Sequence, residues 1–187
     1  MKIKRLAALL ASAVMLTFPA FSVSADDTET DVDEEETQLE ESDPITSEDG
    51  KWTYTIITDK ENNDEYASIQ TYAGGGTELD IPKDIDVNTV KSLGKYAFHE
   101  NTEIKTVKIP ETLNDFGNSP FFGCTSLEKF IVDSSNDVFS VTDKGALTAD
   151  DGQLFVCCPP ASAGKEYTVP DGVVALDASA FAVCDNI

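Results

Sequence analysis

Apolar side chains recur with a fixed spacing along the second half of the chain. The apolar positions of residues 90–110 return 23 residues later in residues 113–132, and they return again in residues 173–187. The second offset is 60 residues, which is one further period of 23 plus an insertion of 37 residues. The aligned sets are Val90, Leu93, Ala97, Phe98, Ile104, Val107 and Ile109; Leu113, Phe116, Pro120, Phe121, Leu127, Phe130 and Val132; and Val173, Leu176, Ala180, Phe181 and Ile187. A period of this length predicts a repeat solenoid.

A short alternating segment recurs with the repeat and predicts a strand. The four segments are Leu79-x-Ile81-Pro82, Val107-x-Ile109-Pro110, Phe130-x-Val132 and Tyr167-x-Val169-Pro170. Successive side chains of a strand point to opposite faces, so the apolar pair is expected to face a core and its neighbours to face outward. Proline ends three of these segments because it cannot donate a hydrogen bond to a continuing ladder.

Two further positions of the repeat indicate how each coil turns. Gly94 and Gly117 occupy one of them, where a sharp turn favours glycine. Asn101, Cys124 and Cys184 share the other, and Asn or Cys there is typical of a leucine-rich repeat. A buried side chain at that point can satisfy backbone groups of the loop that would otherwise lack hydrogen-bond partners.

One repeat cannot fold alone, because the burial of its few apolar side chains does not offset the entropy lost in ordering the whole unit. Neighbouring coils must stack and share their burial. We therefore expect Phe98, Phe121 and Phe181 to lie along one common spine. The predicted fold class is a β-rich repeat solenoid, a leucine-rich-repeat right-handed coil with short parallel strands, short helical turns and inserted β-hairpins.

A segment before the repeats is predicted to form a hairpin. Residues 52–58 and 65–72 alternate aromatic or β-branched residues with polar ones, and the turn-rich residues 59–64 lie between them. We expect this hairpin, within residues 51–76, to cap the first coil.

The repeats are expected over residues 77–187, interrupted by an insertion at about residues 133–165. Residues 139–147 and 153–157 flank the turn residues 150–152, which predicts a second hairpin there.

The first 25 residues predict a secretory signal peptide. Lys2, Lys4 and Arg5 form a basic start, residues 6–18 an apolar core, and residues 23–25 a small-residue cleavage site. The apolar run is too short to span a bilayer comfortably, so no membrane insertion of the mature chain is expected. The predicted localisation is secreted or extracellular, with attachment to the cell surface left open.

Acidic residues dominate the composition. Residues 26–49 contain 13 acidic residues and no Lys or Arg, so residues 26–50 are expected to form a disordered acidic spacer. The whole chain has 35 acidic against 13 basic residues and a net charge of −22. This balance argues against nucleic acid as a partner, because phosphate backbones are bound by clustered Lys and Arg. Anionic membrane surfaces are disfavoured for the same reason.

Few residues are candidates for chemistry. His99, the only histidine, occupies a variable position of the repeat and is interpreted as an exposed loop residue. The cysteines lack the paired C-x-x-C spacing of a zinc site. No phosphate-binding loop, nucleophile elbow or triad spacing is present. We therefore expect no metal, no cofactor and no catalytic residues.

The redox state of the cysteines is a separate question, because an extracellular compartment favours disulfides. Cys124 and Cys184 occupy equivalent positions, and an extra coil between them would set them roughly 10 Å apart. That separation exceeds the reach of a disulfide, so buried reduced thiols are expected there. Cys157 and Cys158 are adjacent, and one is expected to point inward and the other outward.

Three segments resemble the repeat of the BspA-like leucine-rich-repeat surface proteins. They are Ala97-Phe98-x-x-Asn101-x-x-Ile104, Pro120-Phe121-x-Gly123-Cys124-Thr125-Ser126-Leu127 and Ala180-Phe181-x-x-Cys184-Asp185-Asn186-Ile187. The Val169-Pro170-Asp171-Gly172-Val173 connector and the inserted hairpin are also typical of that family. The resemblance covers residues 52–187, and Pro120, Asp177 and Asn101 depart from the family's usual Ala, Gly and Cys.

The resemblance implies extracellular adhesion or protein binding by a secreted or cell-surface bacterial protein, without catalytic residues. Because the chain stops at Ile187, the residue that introduces the next strand, we expect it to be the N-terminal fragment of a longer protein. An alternative function is an accessory repeat region of a secreted enzyme whose catalytic domain lies beyond that residue.

If the repeats bind a partner, the outward positions of the four strands are the expected surface. These positions are Glu78, Asp80, Thr106, Lys108, Lys129, Ile131, Glu166 and Thr168. Their mixed charge and single isoleucine suit an extracellular protein or a glycan, without choosing between them.

Overall fold

The computed structural model describes residues 39–164, 166–182 and 184. The whole chain divides by its internal contacts into two units, Met1–Glu35 and Glu36–Ile187. The predicted signal peptide and residues 26–38 of the predicted spacer lie outside the described residues. The described part of the second unit is a β-solenoid of about five turns, and its strands form three sheets. Its helical elements are two short 3-10 turns, Asp150–Gly152 and Pro160–Ser162.

A hairpin covers the first coil. It consists of β3 (Trp52–Asp59) and β4 (Asp64–Tyr72), which pair antiparallel along their whole length. β4 also pairs in parallel with β7 (Asn88–Leu93), which belongs to the first coil. The Tyr72 ring lies 4.5 Å from the Trp52 ring and 6.3 Å from the Phe98 ring. The hairpin therefore extends both the sheet and the aromatic core of the solenoid.

Two short strands form within the segment expected to be a disordered spacer, which corrects its predicted boundary at residue 50. β1 (Leu39–Glu41) and β2 (Ile45–Thr46) both pair antiparallel with β3. Their residues remain exposed, so backbone hydrogen bonds to an open sheet edge order them, assisted by the Thr55 hydroxyl, which donates to Glu41 at 2.8 Å. Composition alone does not reveal that such an edge is available.

Three short parallel strands form one side of the coils. They are β5 (Glu78–Asp80), β8 (Thr106–Ile109) and β9 (Lys129–Val132), paired in the order β5-β8-β9. The register aligns Leu79 with Val107 and Val107 with Phe130, and all three side chains are buried. This is the alternation predicted for the first three strand segments. β6 (Asp84–Ile85) lies outside this sheet and pairs antiparallel with β7.

The turns on the other side of the coils also stack. The Phe98 amide donates to the Pro120 carbonyl at 2.8 Å, and the Glu100 amide donates to the Phe122 carbonyl at 2.8 Å. The Phe98 and Phe121 rings stack at 4.8 Å with an interplanar angle of 11°. Successive coils are thus held together by hydrogen bonds at their periphery and by aromatic rings inside.

The insertion differs from the predicted hairpin. It contains β10 (Phe139–Val141), β11 (Leu147–Ala149) and β12 (Leu154–Cys157), which form an antiparallel meander that β13 (Ala175–Leu176) extends in parallel. Residues 139–147 were expected to be a single strand, but the chain reverses between Thr142 and Ala146. Gly145, at a φ of 77°, allows this turn.

The fourth predicted strand, around Tyr167 and Val169, does not join the parallel sheet. The hydrogen-bonding position beyond β9 is already taken by the insertion, since the Phe130 amide donates to the Gly145 carbonyl at 3.1 Å. Tyr167 and Val169 instead pack against a second, smaller core.

The predicted common spine of Phe98, Phe121 and Phe181 is also interrupted before the third repeat. Phe98 and Phe121 belong to the main core, whereas Phe181 packs against the second core. There its ring stacks on Phe155 of the insertion at 5.2 Å and 12°. The third repeat therefore keeps the stacking of its phenylalanine but takes its partner from the insertion.

The two repeat glycines have different roles. Gly117 has a φ of 61°, and a Cβ there would overlap the Leu93 carbonyl of the preceding coil. Gly94 does not adopt a positive φ. A Cβ there would meet only the amide end of the Gln70 side chain. The prediction of a glycine-dependent turn holds for Gly117, while Gly94 provides room for a side chain.

We expect Gly117→Ala to lower the free energy of unfolding by at least about 2 kcal/mol, because backbone strain and a backbone overlap both oppose it. Gly94→Ala is the matched control and should cost about 1 kcal/mol or less, since the Gln70 side chain can move. Urea unfolding of both variants measures the difference. Equal losses of unfolding free energy at the two positions would contradict the conclusion that only Gly117 is required for the turn.

Candidate binding surfaces

The strand face brings together six of the eight residues predicted as a binding surface. The register places Glu78, Thr106 and Lys129 in one row and Asp80, Lys108 and Ile131 in the next. Glu166 and Thr168 are exposed, but they lie outside this sheet because the strand predicted to carry them is not formed.

Charges on the strand face are paired both within a row and between the two rows. The Lys108 ammonium lies 3.3 Å from a Glu78 carboxylate oxygen and 3.8 Å from an Asp80 carboxylate oxygen. All three side chains are substantially exposed, so these ion pairs contribute little to stability and exchange readily for a partner's charges. Thr106 was expected to face outward but is buried, because the longer side chains of Glu78 and Lys129 flank it. Ile131 is 42% exposed.

A second surface lies on the turn side of the coils, and we call it the aromatic turn cluster: Tyr96, His99 and Phe122. The His99 and Phe122 rings stack at 5.6 Å with an interplanar angle of 4°. The Tyr96 ring lies 5.6 Å from His99 and 5.9 Å from Phe122, tilted against both. Tyr96 is 44% and Phe122 is 40% exposed, so three contiguous rings face solvent.

The repeat itself builds this cluster. His99 and Phe122 are 23 residues apart, and each follows the buried phenylalanine of its coil. Inter-coil hydrogen bonds, such as that from the Tyr96 amide to the Asn118 carbonyl at 3.2 Å, keep the two turns in register. From the sequence, His99 was interpreted singly as an exposed loop residue, and Tyr96 and Phe122 were not predicted as site residues. The available signal was the presence of aromatic rings at one outward position in two consecutive repeats.

Charged groups border the aromatic turn cluster. The Lys95 ammonium lies 5.0 Å from the centre of the Tyr96 ring, and a Glu100 carboxylate oxygen lies 3.8 Å from His99 Nε2. A cation over a ring face is attracted by the ring's quadrupole. Exposed aromatic residues with a polar rim are typical of the centre of a protein-binding surface.

The shared Asn or Cys position is structural. The Asn101 side-chain oxygen accepts hydrogen bonds from the amides of Glu103 and Ile104 at 3.1 and 3.2 Å. The Cys124 thiol instead donates to the Phe98 carbonyl of the preceding coil at 3.1 Å. Burial raises the pKa of Cys124 to about 11. Both side chains thus satisfy backbone groups at the coil turn, as the repeat pattern predicted.

Cys157 and Cys158 point toward different cores. Cys158 is buried in the second core, while Cys157 is half-buried and packs against the main core. Neither side chain points freely into solvent, which corrects the expectation of an outward thiol. Desolvation raises the pKa of both thiols, and that of Cys158 reaches about 12.

Neither a metal-binding cluster nor a membrane-spanning helix is found among the described residues. No group of three or more His, Cys, Asp or Glu side chains in residues 39–164, 166–182 and 184 is arranged to hold a metal ion. In the same part of the chain, no helix is long and apolar enough to cross a membrane.

Comparison with known proteins identifies the repeat. The family model described as BspA type leucine rich repeat region (6 copies) matches residues 61–143. No curated protein shows a significant match. Among solved structures, a leucine rich cell surface protein from Faecalibacterium prausnitzii A2-165 is 20% identical, with a TM-score of 0.46 over 77% of this chain and 35% of that one.

Two other solved structures are similar in the same way. A leucine-rich repeat protein from Eubacterium ventriosum ATCC 27560 is 14% identical, with a TM-score of 0.44 over 76% of this chain and 58% of that one. One from Bacteroides capillosus ATCC 29799 is 23% identical, with a TM-score of 0.40 over 72% of this chain and 89% of that one. The chain thus spans 35% and 58% of the first two proteins.

Stacked coils with a 23-residue period, parallel strands on one side and an Asn or Cys at the turn define a leucine-rich-repeat protein. Within that class, the family match identifies residues 61–143 as repeats of the BspA type.

We expect the protein, kept reduced, to lose stability as the pH rises from about 9 to 11. The neutral Cys124 thiol is favoured in the folded chain, whereas in the unfolded chain it ionises near 9.0, the ordinary value of its pKa. The contribution of this thiol to the free energy of unfolding is complete below pH 9. As the pH rises toward the folded-state pKa of Cys124, about 2 to 3 kcal/mol of that contribution is lost.

Cys124→Ser is the control, because serine can donate to the Phe98 carbonyl but does not titrate in this range. Urea unfolding from pH 8 to pH 11 should show a smaller loss for the variant than for the native chain. Other groups titrate equally in both proteins, so parallel pH profiles would rule out the proposed contribution.

Proposed function

We propose that this chain is a secreted or cell-surface recognition module that binds an extracellular protein or a glycan and performs no catalysis. Export is supported by the predicted signal peptide at residues 1–25, and surface recognition by the BspA-type repeats. The solved protein from Faecalibacterium prausnitzii is described as a cell surface protein, which is in keeping with the same location.

The observation that carries the proposal is the aromatic turn cluster. Exposing three adjacent rings to water is unfavourable in a soluble chain unless a partner covers them. Tyrosine is among the residues enriched where binding energy concentrates, and a rigid ring loses little conformational entropy on binding. Stacking between coils holds these rings in place before any partner arrives.

The strand face is assigned a complementary role. Lys108, Glu78 and Asp80 form exposed ion pairs that can re-pair with a partner at small cost. Charged groups at the edge of an interface chiefly affect the association rate and the choice of partner. The strong overall negative charge favours partners that are neutral or basic.

The partner is sought by applying the labelled chain to an array of purified extracellular proteins and glycans. For any component that binds, the double variant Tyr96→Ser, Phe122→Ser should weaken affinity roughly tenfold or more, because it removes two exposed rings. Lys108→Gln should mainly slow association and reduce its dependence on salt.

Val87→Ser is the control for the loss of an exposed apolar side chain, since Val87 is 94% exposed. It should leave affinity unchanged, and thermal unfolding should show that all variants fold. If the double variant bound with the affinity of the native chain, the aromatic turn cluster would not be the binding surface. Failure to bind any component would contradict the recognition function itself.

A further inference from the structure

Two cysteine side chains meet where the insertion joins the third repeat. Cys158 directly follows β12, and Cys184 occupies the turn position of the third repeat. The Cys184 sulfur lies 3.7 Å from the Cys158 carbonyl oxygen, and both side chains belong to the second core. They are 2% and 9% exposed in the second core.

The same backbone arrangement occurs one level earlier without a second cysteine. There the Cys124 thiol contacts the Phe98 carbonyl, again 26 residues earlier, while the Phe98 amide donates to Pro120. Likewise the Cys158 amide donates to Ala180 at 2.8 Å. The Cys158 backbone therefore stands where the first coil has Phe98.

We propose that Cys158 and Cys184 form a disulfide that links the insertion to the third repeat. The inference rests on the proposed export, because an oxidising compartment is where such a bond forms and persists. The oxidant is a disulfide-bonded thiol compound or a thiol oxidoreductase. Two S–H bonds break and one S–S bond forms, while two electrons and two protons pass to the oxidant, whose disulfide becomes two thiols.

The other two cysteines are placed less favourably than Cys158 for bonding to Cys184. Cys124 belongs to the main core and directs its thiol to the Phe98 carbonyl. Cys157 packs against the main core, on the opposite side of the chain from its neighbour Cys158. Adjacent position in the sequence therefore does not give Cys157 the same access to Cys184.

The proposed bond has a structural purpose. Tyr167 and Phe181 form the second core together with Phe155 of the insertion, and this core is much smaller than the main one. A cross-link between residues 158 and 184 closes the chain segment that contains Tyr167 and Phe181 and restricts its unfolded state. Small cores are where disulfides supply stability that burial does not.

Peptide mapping of the full chain tests the linkage. The protein is refolded in a mixture of oxidised and reduced glutathione, alkylated without reduction, and digested with trypsin. We expect peptides 145–165 and 166–187 to be recovered as one linked species, and two thiols rather than four to be alkylated. Because peptide 145–165 contains both Cys157 and Cys158, the experiment is repeated with Cys157→Ser, which should keep the link.

Thermal unfolding provides a second readout. Reduction should lower the melting temperature of the native chain and of Cys124→Ser by about 5 to 10 °C. Cys184→Ser should show no reduction-dependent shift. Four alkylated thiols, or a link through Cys124 or Cys157, would overturn the proposal. Refolding in vitro does not depend on secretion or on a binding partner, so its result is independent of the proposed function.

Discussion

Contacts between successive coils hold this molecule together, because no single coil can satisfy its own backbone or bury its own side chains. β5, β8 and β9 pair only with strands of other coils, and the Phe98 and Glu100 amides donate to carbonyls of the following coil. The Phe98 and Phe121 rings stack across the same boundary. A 23-residue unit therefore gains order only when its neighbour is ordered, as expected for a quasi-one-dimensional repeat protein.

The insertion shows how this constraint is met when the repeat is interrupted. Its β10–β11 turn takes the hydrogen-bonding position beyond β9, and its Phe155 stacks on Phe181 of the third repeat. The insertion thus acts as a coil without having the sequence of one. The cost is a division of the core into two clusters, with the smaller one containing the Cys158 and Cys184 side chains. The same stacking that orders the core also aligns His99 with Phe122 at the surface, so the candidate binding surface follows from the fold.

The parts of the fold that could be predicted from sequence are those governed by a repeated apolar pattern. Leu79, Val107 and Phe130 are buried in register, and the hairpin of β3 and β4 follows from its alternating residues and its turn. The parts of the fold that were predicted wrongly depend on contacts between distant segments, which a local sequence pattern does not contain. Leu39–Glu41 is ordered by an edge of β3, and Tyr167 leaves the sheet because Gly145 occupies its place. For the site, six of the eight predicted strand positions lie together on the strand face. The aromatic turn cluster was missed because its residues are unremarkable individually and become adjacent only through stacking.

Amide hydrogen exchange tests the dependence of one coil on the next most directly. Phe121→Ala removes the ring that stacks on Phe98 without changing any residue of the preceding coil. Protection of the Phe98 and Glu100 amides should fall together with that of residues 113–132, because their acceptors lie in the altered coil. If residues 88–109 kept their full protection while residues 113–132 lost theirs, the coils would be independent units and the account would be wrong.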